Sequence, residues 1–189
     1  ASATGWKGDD TVWKLKLPWP FPFYGKNYSR LFISSNGYLD FRNRSSDWDN
    51  TLEGLATNAR IAPLWDDLLI TNLYVRIQPS RIVIRWTGRT FQGRVPVDFQ
   101  TTLQKNGQIL FAYRPTLGGK LSPTIGISAG DGERFVLAPI NEWSSIPRGM
   151  GVKFAWRPGL PEGIQLEEEG TLTGTATTTG KWTVAITVQ

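Results

Sequence analysis

Apolar and polar residues alternate with a period of two through much of this chain. Phe99, Thr101 and Leu103 alternate with Gln100, Thr102 and Gln104. Leu73, Val75 and Ile77 share one face of a stretch, and Ile82, Ile84 and Trp86 share a face of the next. This spacing predicts strands with one side in a core and the other toward water. The joints carry turn chemistry. Ser35-Asn36-Gly37 separates Leu31–Ser34 from Tyr38–Arg42, and Lys105-Asn106-Gly107 separates Asp98–Gln104 from Gln108–Arg114. Asn-Gly tolerates positive φ, so each joint predicts a tight hairpin. Pro79-Ser80 and Gly130-Asp131-Gly132 predict two more, between Leu73–Gln78 and Arg81–Thr87 and between Thr124–Ala129 and Glu133–Leu137. Gly151–Trp156 and Trp182–Val188 complete the predicted strands, with Trp86 and Trp182 expected in the core.

Helical signals are confined to two short stretches. Glu53–Asn58 is long enough for one turn, and Ile61–Leu69 carries Pro63 near its start. Short strands joined by tight turns predict an all-β fold, an antiparallel β-sandwich, because such connections cannot join parallel strands.

The composition changes near Trp156. Arg157-Pro158-Gly159-Leu160-Pro161 leads into Glu167-Glu168-Glu169, a Thr/Gly tract over 171–180 and a last strand. The 33 residues after Trp156 are too few for an independent core without cysteine. The expected division is therefore a sandwich over 1–150 and a segment over 151–189, packed on it or truncated from a larger domain.

The composition removes much chemistry. The 189 residues include no His and no Cys, which excludes Ser-His-Asp and Cys-His catalysis, disulfides, Fe–S clusters and His or Cys metal ligands. Nine Trp supply large rings for a core. The formal charge is +5, but the basic residues are scattered, with Arg76, Arg81, Arg85 and Arg89 the nearest thing to a stripe. Arg spaced through strands reads as a solvated sheet face, so no nucleic-acid partner is expected. No apolar run reaches the roughly 18–20 residues of a membrane-spanning helix, and no membrane insertion is expected. The chain begins at Ala1 and is read as part of a longer precursor with other domains.

Two stretches resemble known families. Pro20-Phe21-Pro22-Phe23-Tyr24-Gly25-Lys26-Asn27-Tyr28, then Leu31 to Phe41 with its Ser34-Ser35-Asn36-Gly37-Tyr38 centre, then Ile61-Ala62-Pro63-Leu64-Trp65-Asp66-Asp67-Leu68, resemble the NIDO-type β domains named from nidogen. The likeness covers about residues 18–140, with the Phe99–Tyr113 hairpin and Thr124-Ile125-Gly126-Ile127 in the expected order. Gly159-Leu160-Pro161-Glu162-Gly163, then Gly170-Thr171-Leu172-Thr173-Gly174-Thr175-Ala176 and Gly180–Val188, resemble an Ig-like repeat of bacterial surface proteins, with Glu162 and Ala176 where that repeat commonly has Pro. Both resemblances imply extracellular or cell-surface modules, bacterial in the second case, used in adhesion or attachment and not defined by a catalytic mechanism.

The candidate chemistry lies in carboxylates and aromatics. Trp65-Asp66-Asp67 places adjacent acids on an irregular segment, and Asp47-Trp48-Asp49-Asn50 is a second acidic cluster. If the two approach, Asp47, Asp49, Asp66 and Asp67 offer the oxygen donors of a calcium site. The commoner role of such residues is capping turns. Trp48 and Trp143 fall in predicted loops and, with Trp65, are the expected ligand-binding aromatics. A glycosidase would need two carboxyls at a set separation, and Asp47, Asp49, Glu53, Asp66, Asp67, Asp131 and Glu133 contain no spacing that selects a pair. The sequence thus predicts a noncatalytic extracellular module binding a glycan or a surface protein. A structural spacer or accessory domain of a secreted hydrolase comes second, and a carboxylate glycosidase third. No cofactor is expected beyond the calcium ion.

Overall fold

The computed structural model describes residues 2–116, 121–159, 164–166, 172–174 and 182–188, with backbone alone for Ser2 and from residue 156 onward. In chain order its elements are β1 (Ser2–Ala3), β2 (Val12–Phe23), β3 (Lys26–Ser34), β4 (Leu39–Asp40), α1 (Leu52–Ala56), β5 (Ala59–Trp65), β6 (Leu68–Ile77), β7 (Arg81–Thr90), β8 (Pro96–Gln104), β9 (Ile109–Tyr113), β10 (Thr124–Ala129), β11 (Phe135–Leu137), β12 (Gly151–Gly159), β13 (Ile164–Leu166), β14 (Leu172–Gly174) and β15 (Trp182–Val188). They form an all-β sandwich of two antiparallel sheets. The larger runs β1-β6-β7-β8-β9-β12-β15 and the smaller β11-β10-β5-β4-β3-β2, with β13 and β14 in a separate ribbon.

All four predicted hairpins are present, as β3–β4, β6–β7, β8–β9 and β10–β11. Gly37 shows why the first turn needs its glycine. Its φ is +76°, and a Cβ there would lie 1.9 Å from the Leu64 carbonyl oxygen. Glu53–Asn58 overlaps the helix α1, capped by Thr51. Ile61–Leu69 is no helix: it forms most of β5, a turn at Asp66-Asp67 and the start of β6. Every residue of β5 is buried, so its apolar run lacks the alternation of a half-exposed strand. Pro63, which has no N–H for a ladder, sits where the register with β10 shifts between Gly126 and Thr124.

The inner faces of the sheets interdigitate. Trp86 stacks on Phe99 at 5.2 Å between ring centres, and Phe21, Phe23, Phe41 and Tyr28 form an aromatic group opposite. Two hydrogen bonds tie the sheets across this core: Trp86 Nε1 donates to the Ser34 carbonyl at 2.9 Å, and the Tyr113 hydroxyl to the Pro63 carbonyl at 2.6 Å. Burial pushes the Tyr113 hydroxyl well above its ordinary pKa.

The core continues past the expected boundary at residue 150. That boundary falls at the start of β12, which pairs with β9 and buries Val152 and Phe154. β15 adds outside β12. The Trp182 side chain and part of the segment carrying the Ig-like resemblance (160–163, 170, 171, 175, 176, 180 and 181) lie outside the described residues.

A second, smaller core lies on the outer face of the six-stranded sheet. Tyr38, Leu55, Ala62 and Trp65 pack there with Leu137. The excursion from Phe41 to Asn58, including α1, covers them, and this cover carries one of the expected site loops.

Candidate functional site

The loops at one end of the sandwich converge on Asn36, a fully buried residue of the first hairpin turn. Its Nδ2 donates to Asp10 Oδ1 at 2.8 Å and to the Ser46 carbonyl at 2.9 Å. Its Oδ1 accepts from the Leu68 N–H at 3.0 Å, and its carbonyl from the Asp66 N–H. One side chain thus joins the segment before β2, the 42–51 loop and the β5–β6 turn. The set grows outward from there. The Phe91 N–H donates to the Asp67 carbonyl at 2.8 Å, Ser122 N–H to Asp66 Oδ2 at 3.2 Å, and Asn50 Nδ2 to the Ser122 carbonyl at 2.7 Å.

The 42–51 loop is held from beneath as well. Tyr38 donates its hydroxyl proton to the Ser45 carbonyl at 2.8 Å, and Trp65 Nε1 donates to the Asp47 carbonyl at 3.0 Å. Asp40 Oδ1 accepts from the backbone of Arg42 and Asn43, while its Oδ2 pairs with Arg60 Nη2 at 3.3 Å. Arg60 is only 1% exposed, and its guanidinium carbon lies 3.9 Å from the Tyr38 ring centre and 4.4 Å from that of Trp65. The aromatic faces and Asp40 together make burial of this cation tolerable.

Trp48, at the tip of this loop, is 52% exposed. Beneath it lie two adjoining recesses of about 250 Å³ each, sharing Trp48, Asp67 and Gln92. One is completed by Asp49, Asn50, Asp66, Thr90 and Ser122. The other is completed by Asp9, Asp10 and Phe91, the last of them 56% exposed. Among the described lining residues there is no Lys or Arg.

The carboxylates differ in state. Burial raises the Asp66 carboxyl above the usual range, offset in part by N–H bonds from Ser122 and Asp67. Burial also raises Asp67, with the charges of Asp9, Asp10 and Asp66 adding to it. Asp9 is raised by burial and by Asp10 beside it. These are acids held near one another with no counter-charge among the described lining residues.

The structure therefore brings together Trp48, Asp49, Asp66 and Asp67 from two predicted clusters. It places the others elsewhere. Asp47 does not line the recesses; its Oδ1 accepts from the Asp49 N–H and its carbonyl anchors Trp65. Trp65 is 0% exposed and has no surface to offer a ligand. It was expected to touch a ligand, and instead it holds the loop that carries Trp48. Trp143 is 39% exposed in a turn that lines neither recess. Asp66 caps turns with both oxygens, accepting from Asp67 N–H and Ser122 N–H. Among the described residues, no three acidic side chains are placed to hold a metal ion together.

Asp9, Asp10, Phe91 and Gln92 escaped the sequence reading. Phe91 carried a usable signal, a large apolar residue between the predicted strands Arg81–Thr87 and Asp98–Gln104, much as Trp48 falls in a predicted loop. The Asp9-Asp10 pair carried none, since nothing local places it beside Asp67.

A β-sandwich whose loops build an aromatic and acidic recess at one end defines the class of this chain as a modular β domain. The family model described as NIDO related matches residues 1–146, and the chain belongs to that family. No curated protein and no solved structure matches it.

Proposed function

We propose that this chain is a noncatalytic recognition module of an extracellular protein, and that it binds a glycan or a surface protein at the recess between Trp48 and Phe91. The observation that carries this reading is the convergence of two exposed aromatics, from loops about 40 residues apart, on one recess. Large rings exposed at a concave polar site are expensive to keep in water and are enriched at binding surfaces. Family membership supports an extracellular-type module. The 151–189 segment is read, on its resemblance, as an Ig-like repeat leading to further domains of a longer surface protein. A noncatalytic role is favoured because both oxygens of Asp66 are engaged by backbone N–H groups.

The test is titration with cell-wall polysaccharides and surface-protein extracts, read by Trp indole NMR signals, comparing the wild type with Trp48→Ala. Binding that moves the Trp48 signal and is lost in the variant is expected. Absence of any binding points to the spacer role, and binding unchanged in both Trp48→Ala and Phe91→Ala overturns the recess as its site. Glycan turnover abolished by Asp66→Asn points to an enzyme.

A further inference from the structure

Resting on that binding reading, we infer that the recess takes an arginine side chain presented by a protein partner. Three observations lead there. The first is charge. Asp9, Asp10 and Asp67 line the recess that Trp48 and Phe91 share, and Asp49 and Asp66 line the one adjoining it, with no described cation in either, on a chain whose formal charge is +5. This acidic spot runs against the sign of the whole molecule, so it attracts a positive group locally while the rest of the surface repels one.

The second is hydrogen-bond polarity. The Asn50 amide is committed to the Ser122 carbonyl and Thr124 hydroxyl, and the Thr90 hydroxyl donates to the Gln92 carbonyl. Gln92, Ser122 and the Trp48 indole N–H remain as side-chain donors against several carboxylate oxygens. Asp67 receives no side-chain hydrogen bond from the described residues. A site weighted to acceptors fits a ligand group that only donates. Guanidinium and ammonium are such groups, whereas a sugar hydroxyl donates and accepts.

The third is shape. Trp48 and Phe91 offer exposed ring faces beside the acids, and guanidinium is planar, weakly hydrated and stacks on aromatic faces, which favours arginine over lysine.

The experiment follows Trp indole signals by NMR in the whole chain during titration with blocked Gly-Arg-Gly peptide. Arms with the citrulline and lysine analogues, a glucosamine oligomer, a neutral oligosaccharide and calcium chloride run alongside. The arginine peptide is expected to shift the Trp48 signal saturably, about tenfold more tightly than the uncharged citrulline analogue. Affinity should fall as salt rises from about 0.05 to about 0.5 M. Asp67→Asn and Trp48→Ala should each weaken it, and Asp131→Asn, on the distant β10–β11 turn, should not. Equal binding of arginine and citrulline overturns the inference. A Trp48 shift produced by a sugar or by calcium but not by arginine overturns it while leaving the site as a binding surface. If no probe shifts the signal but a surface protein does, the arginine inference fails alone. If nothing at all shifts it, the recognition reading fails too.

Discussion

Asn36 and Asp10 meet side chain to side chain at 2.8 Å, although 26 positions separate them. The same buried amide reaches Ser46 and Leu68, so one residue sets the spacing of three loops. Replacing Asn36 by Leu strands the Leu68 N–H and the Ser46 carbonyl and frees Asp10. Leaving such buried groups unpaired costs about 1–3 kcal/mol. Urea unfolding should show a loss in that range, and amide exchange should quicken in the 42–51 loop.

The buried Arg60–Asp40 pair makes a sharper case. Arg60→Met leaves Asp40 charged in an enclosed site and should cost about 3–5 kcal/mol. Adding Asp40→Asn removes the stranded charge while an oxygen remains to cap Arg42 and Asn43. The double variant should recover more than half of the loss in equilibrium unfolding. A double variant no more stable than Arg60→Met alone would show that Arg60 acts through stacking on Tyr38 and Trp65 instead.

The acids at the recess oppose folding at neutral pH. Asp9, Asp66 and Asp67 all have folded-state pKa values raised by burial, so the folded chain holds their protons more tightly than the unfolded chain. Their contribution to stability therefore falls as pH rises through and above the ordinary carboxylate value of about 4, and returns on acidification. Asp67→Asn should raise Tm by roughly 1–2 °C at pH 7. That gain should vanish near about pH 3, where Asp67 is protonated in both states. Thermal scans across this range read both effects.

Trp48 and Trp65 should behave oppositely. Trp48→Ala removes a half-exposed ring and should change stability by less than about 0.5 kcal/mol. Trp65→Ala empties the small core and unpins Asp47, at about 3–5 kcal/mol. Denaturant midpoints for the two variants check this directly.

Pro18 and Pro20 stand exposed on β2, the edge of the six-stranded sheet, where pairing with β3 is interrupted between Lys16 and Phe21. Without an N–H they cannot donate to an incoming strand. Replacing both by Thr should give self-association that light scattering detects, with the monomer fold unchanged by circular dichroism.

The strands and their turns were legible because their signals are local. Alternation over Phe99–Gln104 and the Asn36-Gly37 and Asn106-Gly107 turns each depend on neighbours a few residues away. β5 was ambiguous because a strand covered on both faces loses its alternation, and only the 41–58 excursion, folded back over Trp65 and Arg60, supplies the second cover. Trp48, Asp66 and Asp67 were visible as unusual residues in irregular segments. Their meeting with Asp9, Asp10 and Phe91 was not, since it is made by Asn36 and by loop ends that only the closed sandwich brings side by side. The order of residues alone determined an all-β chain without His or Cys chemistry. The tertiary structure decided which of its exposed rings and acids share one recess, because that grouping is a long-range consequence of sheet packing and leaves no period in the sequence.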